Sequence, residues 1–222
     1  MEEHDIAAGW VIRRCDGRIA QALKSALIIG ALSLTVLARG FKNEAKDADD
    51  PSTPQAAGQK DDASARAAFL AAYPVFMHPR CVHCHPVGDA PLQGEDGHPH
   101  EAGVKRGIDG HGEEGLTCDL CHQDTNAEGP NSPPGVPNWH MPKAEMRMVF
   151  QGKSPGDLCR QLKDPARNGG KTIKGAIEHL AADPLVLWGW KPGEGRSVPT
   201  PSHAEFLKNM QEWASKGGAC PE

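Results

Sequence analysis

The chain has 222 residues, 24 of them Lys or Arg and 29 Asp or Glu, with a formal net charge of -5 at pH 7, which bounds it to one domain or two small ones. That acidic balance carries no nucleic-acid footprint. Aromatic residues make up 5% and hydrophobic residues 38%, against 25 Gly and 19 Pro, and an ordinary apolar core is hard to assemble from such a mixture.

In chain order, Arg13, Arg14, Arg18 and Lys24 precede an uncharged run from Ser25 to Ala38 that ends in small or modest residues. This is the form of a secretory signal peptide over residues 1–38. Reading back to Ile19 leaves only Lys24 as an interruption, so an uncleaved membrane anchor is the second reading, since Lys can snorkel. Either version tethers or delivers residues 39–222 to the periplasm. Residues 39–62 are small and charged, with Pro51, Pro54 and Gly58, and read as a flexible linker.

From Ser64 as N-cap, the Ala-rich run to Tyr73 predicts a helix that stops before Pro74. Phe69, Leu70, Tyr73 and Phe76 give it an apolar face. Immediately afterwards comes Cys81-Val82-His83-Cys84-His85, and later Cys118-Asp119-Leu120-Cys121-His122. Each reads C-x-x-C-H, the attachment signature of c-type haem. Two thiols add across the haem vinyl groups as thioethers, and the adjacent imidazole becomes the proximal iron ligand. The reading is therefore two covalently bound haem c groups, held by Cys81, Cys84, Cys118 and Cys121, with His85 and His122 on iron. Two such flat apolar bodies also account for a sequence poor in its own core residues. The competing reading is a four-cysteine zinc site, which has no use for the two histidines.

Residues 86–117, rich in Gly and His, show neither helical nor strand period and predict a loop over the haems, with Lys105 and Arg106 placed to pair with propionates. Residues 131–142 carry four prolines and predict extended chain. A short helix is expected over 143–150. Ser154-Pro155 opens another to about Lys163, and Thr172 to Ala182 a third. Leu185 to Trp190 reads as an apolar connector. Ser202 and Glu205 form a capping box for a last helix that carries Phe206, Met210 and Trp213 on one stripe.

Cysteine arithmetic closes on itself. Setting aside Cys15 in the N-terminal segment and the four haem cysteines leaves Cys159 and Cys220, which are expected to pair in an oxidising compartment.

The sixth position on each iron decides between electron transfer and ligand chemistry. His179, beside an apolar helix face, is the first candidate. His78 and His100 follow, then Met148 and Met146, which cannot share a helix face.

His78-Pro79-Arg80-Cys81-Val82-His83-Cys84-His85-Pro86, Pro91-Leu92-Gln93-Gly94, Leu158-Cys159-Arg160-Gln161-Leu162 and Asp183-Pro184-Leu185-Val186-Leu187-Trp188-Gly189-Trp190 resemble a group of bacterial di-haem c-type cytochromes. The likeness spans about residues 68–221. Members are described as cytochrome subunits accompanying isoquinoline 1-oxidoreductase-like molybdenum hydroxylases. The resemblance implies a redox partner, with electrons passed from such a hydroxylase to a respiratory acceptor. The chain itself carries no molybdopterin or iron–sulfur signature.

The expectation is thus a mostly helical cytochrome c-like di-haem domain over residues 63–222, with long loops and no sizeable sheet. Its expected function is single-electron transfer in the periplasm. The alternative is a small di-haem peroxidase with one open iron; a haem-based sensor and a zinc module stand behind it.

Overall fold

The computed structural model describes residues 60–222. The signal or anchor expected over 1–38 and nearly all of the expected linker lie outside the described residues. Within them the chain is mostly helical, and sheet is confined to two pieces of two strands each. No helix among the described residues is long and apolar enough to cross a membrane.

Helix α1 spans Asp62–Phe76. It starts before the expected Ser64 because Asp61 takes the capping role: its carboxylate accepts from the Ser64 amide at 3.0 Å and the Ser64 hydroxyl at 2.6 Å. It also runs past Pro74. That proline lies in the last turn, where one missing amide is tolerated while Met77 still donates to the Tyr73 carbonyl. The short helix α2, Pro79–Val82, follows under a His78 cap.

The segment expected to be all loop contains two minimal antiparallel hairpins. Strand β1 (Leu92–Gln93) pairs with β2 (His98–Pro99), and β3 (Gly112–Glu113) with β4 (Leu116–Thr117). Two-residue ladders are too short to leave an alternating pattern in sequence. The helix expected over 143–150 shrinks to a 3-10 turn at Ala144–Met146. Met148 sits at φ 47, a left-handed backbone that no right-handed helix can pass through.

Helix α3 (Pro155–Lys163) begins at a Ser154 cap, and α4 (Ile173–Ala182) at a Thr172 cap. The expected connector is helical over four of its six residues, because Asp183 caps and Pro184 opens α5 (Pro184–Trp188). Helix α6 (His203–Ser215) carries the full Ser202–Glu205 capping box.

A small aromatic core joins α1 to α6. Phe76 meets Phe206 edge-on at 5.2 Å and Phe150 at 5.4 Å, and Phe69 lies 5.3 Å from Trp213. Met210, Leu158 and Cys159 fill the remainder. A disulfide joins Cys159 in α3 to Cys220, and the tail is further held by Trp213 Nε1 donating to the Ala219 carbonyl at 3.1 Å. Four of the five phenylalanines in the chain serve this one cluster, so scarce aromatics still build a core by being concentrated.

Candidate haem centres

Both C-x-x-C-H motifs are wound as helical turns. In the first, α2 continues until the His85 amide donates to the Cys81 and Val82 carbonyls. In the second, a 3-10 turn at Cys118–Leu120 lets the His122 amide donate to the Cys118 carbonyl at 2.9 Å. Residues at i, i+3 and i+4 share one side of a helical turn. Each motif therefore presents two thiols and one imidazole together.

The two histidines are then fixed by the same device. His85 Nδ1 donates to the Met148 carbonyl at 2.7 Å, and His122 Nδ1 to the Pro134 carbonyl at 2.7 Å. A carbonyl only accepts, so Nδ1 must carry the ring proton, and Nε2 is left with its lone pair for a metal. An aromatic ring backs each imidazole. Phe150 stacks on His85 with centres 3.9 Å apart, and Trp139 lies parallel to His122 within 3° at 4.7 Å. Burial pushes His85 down to about 4 and lowers His122 as well, so both stay neutral, the form that binds iron.

Local structure explains the carbonyl placements. Met148 turns its backbone at φ 47, and the next residues return to motif one, where the Phe150 amide donates to the His85 carbonyl at 2.9 Å. For Pro134, the neighbouring Gly135 packs against 123–125 so closely that a Cβ there would stand 2.2 Å from the Gln123 carbonyl oxygen. Asn126 ties this loop together, accepting from Gly135 N at 3.0 Å and from Trp188 Nε1 at 2.9 Å. Trp188 in turn meets Trp139 edge-on at 5.0 Å.

Burial raises Cys81 to about 12 and Cys84 to about 11, the nearby Cys118 adding to the latter, and burial also raises Cys118. Among the described residues no three His, Cys, Asp or Glu side chains converge as a zinc site requires.

The sixth-ligand candidates separate by their surroundings. His78 has both ring nitrogens engaged, Nδ1 by the Arg80 amide at 3.2 Å and Nε2 by the Ser197 hydroxyl at 3.3 Å. Met148 contributes its carbonyl to the His85 side, and Met146 lies half-buried in the 3-10 turn. His179, exposed on α4, has Nδ1 3.3 Å from the Asp183 carboxylate one helical turn on. It lies near enough to lower His85 further by its charge. His100 stands with its ring centre 6.1 Å from that of His122.

Arg106 is a structural residue. Nη1 donates to the Pro142 carbonyl at 2.6 Å and Nη2 to the Gly88 carbonyl at 3.2 Å, with 1% of its side chain exposed. Lys105 is exposed, 4.0 Å from Glu113. Sequence reasoning missed Phe150 and Trp139 as backing rings and the Met148 and Pro134 carbonyls altogether. A peptide carbonyl leaves no mark in a sequence.

No family model, curated protein or solved structure matches the chain.

Proposed function

We propose that the chain is an exported di-haem c-type cytochrome that passes single electrons between a redox enzyme and a respiratory acceptor. One observation carries the reading: two C-x-x-C-H turns, each with its histidine proton committed to a carbonyl and its Nε2 left open. Cys81 and Cys84 hold one haem c and Cys118 and Cys121 the other, with His85 and His122 as proximal ligands. Bound there, the haem iron takes up and releases one electron without bond-making in the protein.

The chain's own residues do the remainder. The Met148 and Pro134 carbonyls orient the imidazoles and raise their basicity. Phe150 and Trp139 prevent ring rotation and shield the proximal sides from water. His179 remains the first candidate for the sixth position on the first iron. The resemblance noted in the sequence makes a molybdenum hydroxylase the donor of choice. The Cys159–Cys220 disulfide suits the oxidising periplasm to which the N-terminal segment directs the chain.

A potentiometric titration of the mature protein tests this function. Two reversible one-electron steps with no turnover of hydrogen peroxide are expected. Sustained peroxide reduction would instead establish the peroxidase.

A further inference from the structure

Loop 86–117 leaves the first motif and returns to the second, and on the way it is folded to display one side chain. Hairpin β1–β2 turns through Gly94 and Gly97, both at positive φ. A Cβ on Gly94 would stand 2.7 Å from the His98 ring, so the turn is closed tightly by the absence of a side chain. Directly after β2, the His100 amide donates to the Pro91 carbonyl at 2.9 Å, and the His100 carbonyl accepts from Gly103 N at 3.0 Å. The backbone of His100 is thus clamped on both sides.

The clamped imidazole faces the second motif. Its ring centre is 6.1 Å from that of His122, with the ring planes 71° apart. Two imidazoles bonded to opposite sides of one metal at about 2 Å each place their ring centres about 6 Å apart. His122 has Nδ1 on the Pro134 carbonyl. His100 Nδ1 accepts from the Ala102 amide at 3.2 Å, the reverse of the Nδ1 role in His122, and Nε2 has no hydrogen-bond partner among the described residues.

Resting on the di-haem reading, we propose that His100 is the sixth ligand of the iron held by His122. With Nε2 on iron, Nδ1 of His100 carries the ring proton, and the Ala102 amide turns to water. The second centre is then a closed bis-imidazole site with a lower potential than a His/Met site. The loop that follows the first haem seals the second, so the two centres are built from one continuous segment. Open-iron chemistry is excluded at this centre.

The test uses the oxidised holoprotein with its haem content counted on the same sample by pyridine haemochrome. Low-temperature paramagnetic resonance of the unmodified protein should show a low-spin bis-imidazole signal of large anisotropy, as nearly perpendicular ring planes give. His100→Gly should convert one of the two haems to a high-spin form that binds carbon monoxide when reduced, and added imidazole should restore the low-spin signal. In a chain with Cys118→Ala and Cys121→Ala, which carries the first haem alone, His100→Gly should leave the spectrum unaltered. Two haems per chain with both low-spin signals untouched by His100→Gly would overturn the assignment and leave the cytochrome reading standing. Fewer than two haems in the unmodified protein would overturn the cytochrome reading itself.

Discussion

His85 and Phe150 hold each other twice. Their rings stack with centres 3.9 Å apart and planes 15° from parallel, and the Phe150 amide donates to the His85 carbonyl at 2.9 Å. Phe150 is also the outer member of the aromatic core, edge-on to Phe76 at 5.4 Å. The core of α1 and α6 therefore reaches the first C-x-x-C-H turn through Phe150, with Cys81, Val82 and Met148 packed against the same cluster. Its stability and its proximal geometry are coupled at that point.

Phe150→Ala should destabilise the fold by about 3–5 kcal/mol, the usual cost of emptying a buried phenylalanine site. The same change frees the His85 ring to rotate. Denaturant unfolding reads the first effect and line-broadening of the first haem's low-spin signal the second. Phe150→Leu should retain most of the stability while still releasing the ring.

Arg106 joins residues 88 and 142 through two carbonyls from a nearly inaccessible position. Arg106→Met should cost roughly 3 kcal/mol, since hydrogen bonds from a charged group are lost and two carbonyls are left unpaired. Arg106→Lys should recover only part of this, because an ammonium lacks the planar fork that spans both acceptors. Equal stabilities for the two variants and the parent, by chemical denaturation, would refute this role.

How much of this was legible in advance follows a physical division. Ser154, Thr172 and the Ser202–Glu205 box announce their helices because a cap is a side-chain signal. The C-x-x-C-H motifs are equally plain. The start of α1 shifted by three residues because Asp61, Asp62 and Ser64 are all capping residues and only packing chooses among them. The expected helix over 143–150 failed on one backbone angle, at Met148, which doubles as the acceptor for His85. The rings behind His85 and His122 lie far along the chain or in proline-rich segments without period. Contacts of that kind are set by the tertiary fold and leave no local pattern.

Replacing both Cys159 and Cys220 by Ser should lower stability by about 2–5 kcal/mol, the usual cost of removing a native disulfide. Cys159 is buried in α3 and its partner fastens the C-terminal tail beside Trp213. A reducing agent added to the unmodified protein should produce the same drop in melting temperature as the double substitution. Unequal drops would show that the serine side chains, and not the lost cross-link, are responsible.

Acid should weaken the helix starts. The Ser64 hydroxyl holds Asp61, Arg160 holds Asp157, and the Ser202 hydroxyl holds Glu205 below their ordinary carboxyl values of 3.8, 3.8 and 4.5. A carboxyl depressed in the folded state stabilises above its unfolded value, and that contribution is lost as pH falls through the folded value. The contribution of these three carboxyls should therefore be level between neutral pH and about pH 5 and decline below it. Glu205→Gln should make that acid limb shallower. An unchanged limb would show that the capping box of α6 does not titrate in this range.

The central claim, that the two C-x-x-C-H turns carry covalent haem, is tested most directly by denaturing mass spectrometry of protein matured in a host with a c-type haem attachment system. The mass should exceed that of the mature polypeptide by two haems, and one haem should disappear when Cys118 and Cys121 are replaced by alanine. An unmodified polypeptide mass, with zinc retained by the native protein on its four thiols, would contradict the account.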